Sequence, residues 1–128
     1  MKAPRISPCL GVPDTQAACD FYEQIGFTAL PADPSQEDDI RLLLFEGEFA
    51  LMVNKDEDLR NWLPVLKDTP IGAFGMFYLA VDDFDAYVEK VRPLVKVVKE
   101  PFESHGQKLF YFTDPNGYVV GVTQRQEW

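Results

Sequence analysis

The thiols of Cys9 and Cys19 and the imidazole of His105 are the first places to look for chemistry, because the chain holds two cysteines and one histidine. A cysteine attacks as the thiolate and needs a basic partner to become one. No histidine lies near Cys9 in the sequence, so Cys9 reads as a small buried hydrophobe rather than a nucleophile. The two cysteines form neither a disulfide framework nor a metal-type spacing, and both are expected as free thiols. His105 lies in the polar loop "FESHGQKLFYF", where it could touch a ligand or be an exposed loop residue. Trp62 reads as a lid aromatic or as part of a satellite core. Trp128, at the C-terminal end of the sequence, is open to packing on a partner chain or to mobility. No catalytic residue is assigned.

A different kind of signal comes from "YFTDPNGYVVGVTQ". Asp114-Pro115-Asn116-Gly117 is a turn, in which proline presets φ and Gly117 supplies φ > 0. The returning strand is β-branched at Val119, Val120, Val122 and Thr123, yet Gly121 interrupts it. Glycine inside a strand marks a bulge or a close approach by another group.

Several elements must position these residues. A short strand in "RISPCLGVPD" precedes a helix capped by Asp14, with Ala18, Phe21, Tyr22 and Ile25 on one face and Gly26 at its end. A strand around "FTALPAD" and a polar loop follow, then a hairpin around Glu46-Gly47. Residues 55–71 place Leu59, Trp62, Leu63 and Leu66 at helical spacing, with Pro64 as a breaker. "GAFGMFYLAVDD" reads as a strand, "DFDAYVEKVRPLV" as a helix, and "KVVKEP" as a strand before the closing hairpin.

A net charge of −9 argues against nucleic acid or an anionic membrane as partner and leaves room for a cationic ligand. Hydrophobic residues at 46% of 128 predict one packed domain. No apolar run approaches the ~20 residues of a membrane span. The N-terminal stretch lacks a signal-peptide core, so a cytoplasmic location is expected.

Both halves read strand, helix, strand, strand, strand. "LGVPDTQA" aligns with "LAVDDFDA", matching Leu10, Val12, Asp14 and Ala17 to Leu79, Val81, Asp83 and Ala86, which predicts an internal duplication. With "YLAVDDFDAYVEKV" and "FTDPNGYVVGVTQ" in this order and spacing, the chain resembles the vicinal oxygen chelate superfamily, which includes glyoxalase I, extradiol dioxygenases and bleomycin resistance proteins. The resemblance implies an α+β fold of two tandem βαβββ modules, forming a curled mixed sheet with a cleft. The expected modules span about 4–54 and 72–126 of a single domain, joined by a linker at 55–71. It also implies a homodimer.

In the metal enzymes of that superfamily, four ligands stand on the cleft walls. The resemblance puts those positions at Ser7, near Ala50, at Met76 and at Gly121. Hard divalent ions take oxygen or imidazole donors, and a site needs about three or four. Serine, alanine, methionine and glycine do not supply that set, so no metal and no cofactor are expected.

Strand alternation groups Ser7, Cys9 and Gly11 with Met52 and Asn54, and Phe74, Met76 and Tyr78 with Val119, Gly121 and Thr123, on the face of the vacant positions. Leu10, Val12, Leu51, Val53, Phe77, Leu79 and Val81 fall on the opposite, helix-covered face. The expected ligand-binding set is therefore Ser7, Cys9, Met52, Asn54, Trp62, Phe74, Met76, Tyr78, His105, Gly121 and Thr123. Such a lining suits a flat or partly apolar small molecule. The leading expectation is a metal-free binding protein of the bleomycin resistance type that sequesters an aromatic or cationic compound. The alternatives are a glyoxalase- or dioxygenase-like metalloenzyme with displaced ligands, a metal-independent enzyme, or a degenerate member without activity.

Overall fold

The computed structural model describes residues 5–31, 34–35, 39–72 and 75–126. Along the chain run β1 (Cys9–Val12), α1 (Thr15–Gln24), β2 (Phe27–Ala29), β3 (Ile40–Phe45), β4 (Glu48–Lys55), α2 (Asp56–Trp62), β5 (Met76–Val81), α3 (Phe84–Val91), β6 (Lys96–Ser104), β7 (Gln107–Thr113) and β8 (Val119–Gln124). The chain divides into two compact units between Ile71 and Gly72. Each is a βαβββ module, and the fold is α+β as expected. The sequence led us to expect one curled sheet. The hydrogen bonding makes two four-stranded sheets, one per module, ordered β1-β4-β3-β2 and β5-β8-β7-β6.

The duplication is physical as well as sequential. Each sheet has one parallel pair, β1 with β4 and β5 with β8, and is otherwise antiparallel. Leu10 faces Val53 in the first module and Leu79 faces Val122 in the second. All four are buried, as are Val12 and Val81. Asp14 caps α1 by accepting from the Ala17 amide at 3.1 Å, and Asp83 caps α3 by accepting from the Ala86 amide at 3.1 Å. The carboxylate satisfies a first-turn donor that would otherwise lack a partner. The matched leucine, valine, aspartate and alanine are thus the residues that seat a strand under a helix and start that helix.

Three local details are filled in. Within "FTALPAD" the strand among the described residues is Phe27–Ala29. The break expected at Pro64 occurs: α2 ends at Trp62, and Leu63 leaves helical geometry before Pro64 opens a short 3-10 turn. The residue before proline disfavours the α region, so the break falls there. The stretch at 55–71 also behaves as part of the first module. At Gly11, a Cβ would lie 3.1 Å from Asp56 Oδ1 and 3.3 Å from Leu59 Cδ2, so α2 folds back over the end of the first sheet.

The Asp114 turn works as an Asx turn. Asp114 is buried, and its Oδ1 accepts from the amides of Asn116 at 2.9 Å and Tyr118 at 3.0 Å. Gly117 takes φ 89°, the left-handed conformation that glycine adopts without steric cost.

Candidate functional site

The second module presents one sheet face to α3 and leaves the other open. On the helix face lie Leu79, Val81, Phe110, Phe112, Val120 and Val122, all buried. The open face is organised in cross-strand rows. One row reads Met76, Val119, Thr113 and Lys96 across β5, β8, β7 and β6. The next reads Tyr78, Gly121, Tyr111 and Lys99, and the third reads Ala80, Thr123, Leu109 and Phe102.

The middle row explains Gly121. A Cβ there would stand 2.8 Å from Cδ1 and Cε1 of Tyr78 and 2.8 Å from Cε of Met76. The tyrosine ring lies over the glycine, a close approach that any side chain at 121 would obstruct. The Tyr78 and Tyr111 hydroxyls meet above it at 2.9 Å. That hydrogen bond holds the Tyr111 phenol above its ordinary pKa. Phe102 stacks on Tyr111 with ring centroids 6.1 Å apart, and the Lys99 ammonium sits 4.3 Å over the Phe102 ring. At the end of this face, Ala80, Gln107 and Thr123 join residues 124–126 around a cavity of about 390 Å³.

The structure separates the expected site residues. Met76, Tyr78, Gly121 and Thr123 share the open face of the second module. Cys9 and Met52 are paired neighbours in the first module. Ser7 is half-buried and precedes β1. Asn54, expected on an open lining, is 7% exposed, with α2 folded over its strand partner Gly11. Its Oδ1 has no hydrogen-bond partner among the described residues. Cys9, expected as a buried hydrophobe, is exposed, and Cys19 is the buried thiol. Desolvation raises both thiol pKa values, the opposite of what a nucleophile needs. Trp62 is 75% exposed at the end of α2, so the satellite-core alternative is removed.

His105 forms the two-residue turn between β6 and β7 with Gly106, at φ 53° and 79°. It is exposed, and its Nδ1 lies 3.0 Å from Ser104 Oγ. Phe74 and Trp128 lie outside the described residues.

One expected ligand position moves. Gly121 pairs with Tyr78, and the residue that pairs in the same way in the first module is Met52, opposite Cys9. The matching helix caps and strand registers make Met52 the counterpart of Gly121, two residues from Ala50 and on the same face. The first module then offers Ser7 and Met52, a hydroxyl and a thioether, and the second offers Met76 and Gly121, a thioether and a residue with no side-chain donor. These residues do not fit a hard divalent ion, and in the second module the space over Gly121 is filled by a tyrosine ring. Among the described residues, no three His, Cys, Asp or Glu side chains converge.

Tyr111, Phe102 and Lys99 were missed in the sequence. The signal was present in "QKLFYFT", where alternation puts Gln107, Leu109, Tyr111 and Thr113 on the same face as Gly121.

Two βαβββ modules, each with a four-stranded mixed sheet, define an α+β class of fold. The chain belongs to the glyoxalase/bleomycin resistance protein/dioxygenase superfamily, whose family model matches residues 5–122. It is similar to a glyoxalase/bleomycin resistance protein from Streptomyces sp. CB03234, with 27% identity, a TM-score of 0.71 and coverage of 91% of this chain and 96% of that one. A superfamily member from Sphaerobacter thermophilus DSM 20745 gives 21% identity, a TM-score of 0.74 and coverage of 97% and 98%. A bleomycin-binding protein complexed with bleomycin gives 17% identity, a TM-score of 0.67 and coverage of 97% and 100%. No curated protein sequence matches the chain.

Proposed function

We propose that this protein binds a small aromatic molecule without a metal ion, on the open face of its second module. The observation that carries the reading is the Tyr78 ring laid over Gly121 and hydrogen-bonded to Tyr111. Where metal enzymes of the superfamily hold a ligand, this chain has a platform of π surface. Phe102 extends the platform, and the cavity beside Thr123 offers hydrogen-bonding groups at its end. Stacking geometry and a few placed polar groups are what an aromatic ligand requires. The presence of a bleomycin-binding protein among the similar structures supports a binding role.

A homodimer belongs to the same reading. Trp62 and Val65 are exposed at 75% and 87%, large apolar side chains of the kind that isologous contacts cover.

The test is a thermal-shift screen with flat aromatic compounds and cationic antibiotics, in the presence of a chelator. A ligand specific for the folded state raises the melting temperature. Its affinity is then compared in the wild type and in Gly121→Glu by isothermal titration. The substitution pushes Tyr78 off the platform and sets a carboxylate in its place, so affinity should fall. Unchanged affinity in a folded Gly121→Glu variant would place the ligand elsewhere.

A further inference from the structure

The chain carries 21 acidic residues, yet the three rows of the second module's open face contain none. Their ionic groups are Lys96 and Lys99, both on β6. Three nearby carboxylates are engaged elsewhere, and a fourth, Glu103, is in register with Lys108 and lies off the three rows. Glu100, in the irregular stretch of β6 between Lys99 and Phe102, pairs with Arg92 at 2.6 Å. Asp85 of α3 pairs with Lys108, whose neighbours Gln107 and Leu109 are the residues in register with the open face. Asp82 faces Arg125 at 3.8 Å. No carboxylate of the described residues pairs with Lys96 or Lys99.

The cation–π contact fixes the Lys99 ammonium over Phe102 while leaving its N–H donors to other acceptors. It stands in the row that holds the tyrosine pair. The net charge of −9 does not decide the charge of a ligand at this place. Screening over about 8 Å at physiological salt makes the local lysines outweigh distant carboxylates.

We infer that the ligand of this face is a planar aromatic anion, with its ring on Tyr78 and Tyr111 and its acid group on Lys99, which Phe102 holds in place. This rests on the binding role proposed above and specifies the ligand's charge, in place of the cation that net charge alone suggests. A carboxylate and a sulfonate share the relevant chemistry, a delocalised oxyanion accepting from an ammonium.

The experiment compares three probes of one shape, 2-naphthoate, 2-naphthalenemethanol and 2-naphthylmethylammonium, by isothermal titration at low salt. Naphthoate should bind about tenfold more tightly than the ammonium probe, a gap of the size one charge-assisted hydrogen bond supplies. Lys99→Gln should remove most of that preference, while Lys99→Arg should retain it. Added salt should weaken naphthoate alone. Ammonium or neutral probe binding as tightly as naphthoate, or a preference that survives Lys99→Gln, overturns the anionic assignment and leaves the binding role standing. Binding of none of the three overturns both.

Discussion

At position 121 a glycine that looks like a lost ligand is also a packing requirement. The Tyr78 ring needs the space that a Cβ would take. Gly121→Ala should therefore cost about 1 kcal/mol, the low end for overpacking, because the exposed Tyr78 ring and the Met76 terminus can shift. The part due to the ring should vanish in a Tyr78→Ala background. Urea denaturation of the four proteins in this cycle measures the coupling, and simple additivity would show that the ring does not depend on the glycine. Gly121 was legible in the sequence as an irregularity, because a glycine inside a β-branched strand has no local reason to be there. Its reason was not legible, since it lies on two neighbouring strands that only register brings together. Asn54 failed for a related cause. Alternation placed it on the correct face, but nothing in the strand itself announced that α2 would fold over the end of that face.

Helix starts were the most readable elements, because a cap is a local device. Asp14 and Asp83 each accept from the amide three residues on, and each should cost about 0.5–2 kcal/mol when replaced by alanine. Chemical denaturation of Asp14→Ala and Asp83→Ala checks this, and losses well below that range would mean the caps are incidental. The break at Leu63 was readable from Pro64. What holds the segment after it was not. Arg60 pairs with Asp56 at 2.9 Å and donates to the carbonyls of Leu66, Lys67 and Thr69, so one guanidinium ties a helix to the turn that follows. Arg60→Ala should open residues 63–70 to limited proteolysis while leaving both sheets folded. Cleavage at the wild-type rate would assign the order of that segment to something else.

For the whole molecule, the repeated register of two sheets makes Met52 the counterpart of Gly121, and pH and metal content are the global readouts. Burial raises the phenol of Tyr87 and the thiol of Cys19 above their ordinary values of 10.0 and 9.0. Both groups ionise to anions, so the folded state holds their protons more tightly than the unfolded chain does. The thiol's contribution is complete below about pH 8 and the phenol's below about pH 9, and each is lost as pH rises through the folded value. Denaturation midpoints should stay level from about pH 7 to about pH 8 and fall beyond, and above about pH 10 they should fall less steeply for Tyr87→Phe. Equal slopes in both proteins would exclude that tyrosine as a source. The central proposal is that the second module's open face, where the Tyr78 ring lies over Gly121, takes an aromatic molecule without a metal ion. Its most direct test is elemental analysis by plasma mass spectrometry, after the protein is incubated with Ni²⁺, Zn²⁺, Fe²⁺ or Mn²⁺ and dialysed. The expected result is no stoichiometric ion. One ion retained per chain, and lost on substitution of Met76 or His105, would contradict it.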